Sequence, residues 1–391
     1  MNDIFIYLTF VPLLYFLIFS QSKTETIILI FISTYIISYI LAYYLGVRID
    51  VSSENDTETS NYKFILALYV FYTGYFLQKH FFRSKNFKIY KVQENKNLTF
   101  YLNILLITLF LIELSLTSFD IFATNKSYSN LTKDTYFFEF INIIYVFYVY
   151  NIGNKRSNFF LILVSLHCLL AIVDGHRLMA VTSFFLLFIL YIVPKISKSK
   201  MIIYLFLGFV LLEGVSMLRS GNDVSFSAWL SSSNREESFS SHQGSVIYST
   251  LSIMEFSERY DVLDKIIMSS EYTLSLFFSS RWLPDELIFS KALSKVTFRP
   301  GGGLIIGFAY AFFGYIGVFI TGYFISSVLN WGRYFDKNLL VPPFIYLIII
   351  MIPRYFSYTP LHIFKTILFT FLLYYLLYRS NVTKNNKKQF D

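Results

Sequence analysis

Cysteine is nearly missing: Cys168 is the only one in 391 residues. A lone cysteine excludes an internal disulfide and any cysteine-based metal site. It sits in an apolar run, so it reads as a small buried residue. Charge is scarce as well. Asp, Glu, Lys and Arg make up 15% of the chain, against about a quarter in soluble domains. No His-Glu-x-x-His, Asp-x-Asp pair or P-loop occurs, so neither a metal nor a cofactor is expected. No internal repeat and no low-complexity domain is visible. These absences rule out a disulfide scaffold.

What fills the chain instead is apolar. Hydrophobic residues make up 55% and aromatics 20%, with 45 Phe and 32 Tyr. One or two soluble cores cannot hide that much apolar surface, so a disordered protein and an ordinary cytosolic enzyme are both excluded. A bilayer core of about 30 Å takes about 20 apolar residues per helix. Eleven candidate spans are expected, over 4–20, 26–46, 64–77, 98–118, 136–152, 159–173, 178–193, 201–218, 304–329, 339–352 and 361–378. The expected fold is an all-α integral membrane protein, residues 1–391 forming a single polytopic domain. The first span lacks a basic leading region and a small-residue cleavage site, so it is not expected to be a signal peptide.

A net charge of +8 would fit nucleic acid, but the placement of the basic residues argues against it. Short cytoplasmic loops collect Lys and Arg. The segment after the third span holds Lys79, Arg83, Lys85, Lys88, Lys91 and Lys96. With that side cytoplasmic, Lys155, Arg156, Lys195, Lys198, Lys200, Arg333, Lys337 and the tail with Lys384, Lys387 and Lys388 fall there too. The acidic loop with Asp50, Glu54, Asp56 and Glu58 falls opposite. The expected N-terminus is therefore outside and the C-terminus inside.

Residues 219–303 then form one large external segment of about 85 residues between the eighth and ninth spans. Structureless loops of this length are uncommon and often functional. The segment reads as partly helical: Val246–Ile266 carries apolar residues near helical spacing. Tyr272–Phe278 is aromatic enough to lie on a membrane surface.

The outward side should be poor in Arg, yet Arg177, Arg219 and Arg354 stand at span ends there, and Arg281 and Arg299 in the long segment. Guanidinium groups stay charged and bind phosphate in bidentate fashion. Their expected role is to hold a lipid phosphate or pyrophosphate; a single snorkelling Arg is the competing reading for each. Asp174 and His176 share a tight turn with Arg177. With His242, Glu255 and Glu258 of the long segment they are the candidates for proton transfer. Gly301, Gly302 and Gly303 open the ninth span, either as an anion-binding helix start or as a flexible turn. Gly307, Gly314, Gly317 and Gly322 read as packing positions. Glu113 lies inside a span, where ionisable groups are costly and often functional; His167 reads as structural.

Three stretches carry a family resemblance: Asp174-Gly175-His176-Arg177-Leu178, the run from Gly301 through Phe313-Gly314-Tyr315-Ile316-Gly317, and Arg354 with Lys365. With the hydropathy profile and the late external segment, the chain resembles the Wzy-type polymerases of O-antigen or capsular repeat units. Where many relatives carry an acid in the post-loop helix, Ala309 stands here. The resemblance implies a GT-C-like fold in the bacterial inner membrane, the N-terminus periplasmic and the C-terminus cytoplasmic. It implies metal-independent transfer of a glycan from undecaprenyl pyrophosphate to a sugar hydroxyl of the next lipid-linked unit. Trp229 and Trp282 would stack on sugar faces. Implied partners are undecaprenyl-pyrophosphate-linked oligosaccharides, the lipid bilayer and a chain-length regulator protein, with no nucleic acid. An O-antigen ligase and a lipid-linked oligosaccharide flippase are the competing functions.

Overall fold

The computed structural model describes residues 10–20, 22–44, 57–81, 95–116, 135–153, 157–173, 177–204, 207, 239–275, 284, 287–294, 302–331, 342–357, 360, 364 and 366–376. Among them the regular structure is helical throughout, as the sequence predicts. Two helices are long and apolar enough to cross a membrane, Lys96–Ser115 and Ile305–Asn330. Shorter apolar helices cover Ile141–Asn151, Asn158–Ala171, Ala180–Lys195 and Thr366–Leu376. The chain divides into two compact units, each assembled from separate stretches.

The first unit takes residues 1–85, 196–333 and 354–361. Its helices are α1 (Phe10–Ile18), α2 (Lys23–Tyr44) and α3 (Thr57–Phe81). Ser22 caps α2, its Oγ accepting the Glu25 N–H at 3.0 Å. That is half of a Ser-x-x-Glu capping box. The other half is diverted: the Glu25 carboxylate accepts from Lys79 Nζ at 2.6 Å and from the Tyr75 hydroxyl at 2.8 Å, both on α3. The ion pair is buried, and Lys79 also stands 5.7 Å from the centre of the Phe16 ring of α1. Lys79 lies inside a helix, not in a loop. It is the last-turn partner of a buried acid.

The segment after 219 contributes α8 (Phe239–Ser257), α9 (Val262–Leu274) and α10 (Phe289–Ser294). The expected helical stretch over 246–266 is interrupted at 258–261, and Asp261 sits at the N-cap position of α9 with extended backbone. Helix α8 packs along α2. The helix after the segment, α11 (Ile305–Asn330), packs against α8, α9 and, most extensively, α3. Ile253, Phe256, Met268, Phe289, Phe308 and Ala311 form one buried cluster that joins α8, α9, α10 and the start of α11. Tyr272, half-buried, packs against it on Phe289, Phe308 and Phe312.

Glycines set the α3–α11 contact. A Cβ at Gly74 would collide with the Phe319 carbonyl, and one at Gly322 with the Phe71 carbonyl. Small residues that let backbones approach are how helices associate without a hydrophobic drive. Further along the same face Gln78 accepts from Ser326 Oγ at 2.9 Å and from Asn330 Nδ2 at 2.7 Å. Gly322 meets Phe71, and eight residues on Asn330 meets Gln78, seven residues past Phe71. Steps of matching size and sense make the two helices parallel.

The second unit takes residues 86–195, 334–353 and 362–391. It contains α4 (Lys96–Leu116), α5 (Thr135–Asn151), α6 (Asn158–Val173) and α7 (Arg177–Leu187). Helix α7 runs on through a π turn over Phe188–Ile192 to a 3-10 turn holding Pro194, which has no N–H to extend the ladder. Asn142 of α5 bonds Thr182 and Ser183 of α7. Asn151 ties the end of α5 to Asn95 and Thr99 at the start of α4. Helix α4 buries Leu102, Leu106 and Glu113 along one stripe and leaves Phe100, Tyr101, Ile104, Leu105, Leu111 and Ile112 exposed.

Candidate functional site

Most of the sequence-predicted site falls outside the described residues. That holds for Asp174, His176, Arg219, Arg281 and Arg299, and for Gly301, Trp229, Trp282 and Lys365. Arg177 begins α7 in the second unit, and Arg354 lies in the short helix Ile352–Ser357, in the first; the backbone alone is described for both. His242 and Glu255 share α8. Thirteen residues separate them, about 20 Å along a helix axis. Glu255 is half-buried in the last turn.

The glycine turn is built for packing. Leu304 N–H, the first donor of α11, goes to Thr250 Oγ1 of α8 at 2.8 Å, and Gly307 N–H goes to Leu304 O at 2.8 Å. A Cβ at Gly303 would meet Ile253 Cδ1 at 2.5 Å, and one at Gly307 would meet Thr250 Cγ2 at 2.8 Å. Those two donors are in use, and Gly303 and Gly307 let α8 and α11 touch.

Gly314 is different. Its φ of 58° and ψ of −150° lie in a region that only glycine adopts readily, and a Cβ there would meet no atom within 4 Å. It is there for backbone shape, not for packing, as Gly307, Gly317 and Gly322 are. The bend is sharp: a Cβ at Gly317 would strike the Ala309 carbonyl, eight residues back and about 12 Å away in a straight helix.

The bend assembles a polar cluster from three elements. Tyr310 and Tyr315 would point about 140° apart on a straight helix. Across Gly314 their ring centres are 5.0 Å apart, edge to face. Glu258, in the turn between α8 and α9, accepts from Tyr310 at 3.2 Å through Oε1 and from Lys63 of α3 at 2.6 Å through Oε2. This cluster is exposed. Glu258 was readable as an acid of the long segment, but Lys63 and Tyr310 were not, because they reach it from two other helices distant in sequence.

In the second unit Glu113 of α4 and His167 of α6 form a fully buried pair through Oε2 and Nδ1. The Tyr145 ring of α5 stands edge-on to His167 at 5.6 Å. Neighbouring Cys168 is buried and gives its thiol to the Ala180 carbonyl at 3.6 Å. The expectation that His167 is structural gains a partner here, while Glu113 gains a counter-group.

No protein-family model, curated protein or solved structure matches the chain.

Proposed function

We propose that the protein is a metal-independent polymerase of lipid-linked oligosaccharide repeat units, embedded in the bacterial inner membrane by about eleven spans in a GT-C-like arrangement. Membrane residence is supported by α4: its apolar window has a mean hydropathy of 2.0, yet only 17% of it is buried. Water does not tolerate an apolar face of that size. The observation that carries the enzyme reading is the stretch 302–317. It bears the family resemblance, and it is also where α11 is pressed onto the long segment through Thr250 and bent at Gly314 beside Glu258 and Lys63.

In the proposed reaction an acceptor sugar hydroxyl forms a bond to the anomeric carbon of the donor glycan. The bond from that carbon to undecaprenyl pyrophosphate breaks, and the hydroxyl proton passes to a base, for which His242, Glu255, Asp174 and His176 are the candidates. Arg177, Arg219, Arg281, Arg299 and Arg354 hold the pyrophosphates and offset charge on the leaving oxygen, the kind of contribution that is often the largest in catalysis.

The test is a purified protein in detergent with a synthetic lipid-pyrophosphate repeat unit and no nucleotide. A ladder of products is expected, and its absence overturns the proposal. Arg177→Ala and Arg354→Ala should abolish extension with membrane insertion intact, and Lys should substitute poorly because it lacks the planar fork. Normal polymer from both variants removes the anion role. A ligase would instead need a lipid A-core acceptor in the same tube. A second reading, a lipid-linked oligosaccharide flippase, is favoured by the buried Glu113–His167 pair, since such pairs mark proton and substrate pathways in membranes. Detergent separates it: a transporter has no product to form without two compartments.

A further inference from the structure

Helix α9 is turned inside out by the standard of a surface helix. Val262 is 74% exposed, Leu263 68%, Ile266 50% and Leu274 49%. At 100° per residue these side chains, with Ser270 and Thr273, fall on one arc of about 120° that carries no charge. The ionisable residues lie elsewhere: Asp264 and Lys265 are half-buried and Glu271 is buried. Glu271 is held inward by accepting the Phe289 N–H at 3.3 Å, and Met268 and Tyr272 lock the same side into the shared cluster. A helix facing water would be rotated the other way.

Two observations decide what covers the apolar arc. The face of a 13-residue helix is about 20 Å long and 10 Å wide, a small fraction of the roughly 800 Å² per partner that a stable protein interface takes. And α9 packs on α11, whose own exposed residues beyond the bend, Ile316, Ile320 and Phe324, repeat at helical spacing along a candidate membrane span. Charged Arg259 and Asp261 are exposed at the leading end of α9, where a headgroup layer would hold them. We infer that α9 lies in the bilayer surface with Val262, Leu263, Ile266 and Leu274 immersed among lipid acyl chains, so that the middle of the long segment is anchored to the membrane rather than free in solvent. The inference rests on membrane residence, and not on the glycan chemistry.

Single cysteines at Leu263, Ile266, Ile320 and the exposed Ser290 of α10, each in a Cys168→Ser background, are labelled with bimane. The proteins are then placed in phosphatidylcholine vesicles with or without brominated acyl chains. Expected is strong quenching by the brominated lipid at Leu263→Cys, Ile266→Cys and Ile320→Cys, with aqueous iodide quenching Ser290→Cys alone. Iodide quenching at 263 and 266 beside lipid quenching at 320 overturns the inference while leaving the membrane reading standing. Shielding of 263 and 266 from both quenchers means that protein covers the arc, and also overturns it. Absence of lipid quenching at 320 removes the membrane reading and the inference together.

Discussion

A buried charge is tolerated only beside its opposite, and Glu25 and Lys79 illustrate the cost of separating them. Lys79→Met should lower stability by about 3–5 kcal/mol, because it leaves Glu25 uncompensated, whereas Glu25→Leu with Lys79→Met should recover most of the loss. Thermal unfolding in detergent measures both; equal damage from the single and double variants would show that the pair is not the source. Gly314→Ala isolates a second residue-scale effect. The site has open space, so the loss of about 1–3 kcal/mol comes from backbone shape alone. Lys79 also shows where reading a sequence stops. Its position after an apolar run makes it look like a loop cation, and nothing near it in the chain announces Glu25, 54 residues earlier.

At the scale of elements, helical type was legible from the apolar runs, since length and hydropathy alone predict it. Helix α3 matches its expected span but starts earlier, at Thr57, because Lys63 is held by Glu258 and need not end the helix. The bend in α11 was not legible: Gly314 is one of several glycines in a continuous apolar stretch, and spacing alone assigns all of them to packing. The parallel contact of α3 with α11 was not legible either, as it depends on backbone touching backbone. Gln78→Leu removes two bonds across it and should cost about 1–2 kcal/mol, given roughly 0.6 kcal/mol on average for a bond between membrane helices. The same substitution at exposed Thr73 should cost little, and comparing the two Tm values tests the contact.

In the proposed membrane arrangement that parallel pair gives the first unit a sidedness. The end of α3 near His80 and the end of α11 near Trp331 fall on one side, and Lys63 with Glu258 on the other. Cysteines at 80 and 331 should react with a bulky maleimide from the same face of sealed vesicles, and a cysteine at 258 from the opposite face. Labelling of 80 and 331 from opposite faces would contradict the helix register. The arginine set that motivated the function stays a matter of sequence, because Asp174, His176, Arg219, Arg281 and Arg299 lie outside the described residues and Arg177 and Arg354 belong to different units. Long-range convergence of that kind has no local pattern to betray it.

The bend also shortens the path through lipid. Hydropathy credits α11 with 26 residues, but the leg beyond Gly314, from Tyr315 to Asn330, is only about 24 Å long, several ångströms less than the roughly 30 Å hydrocarbon layer. In the proposed membrane arrangement, thinning of the bilayer around this leg is one way to meet the mismatch. Phospholipids with shorter tails should accordingly raise the Tm relative to longer ones.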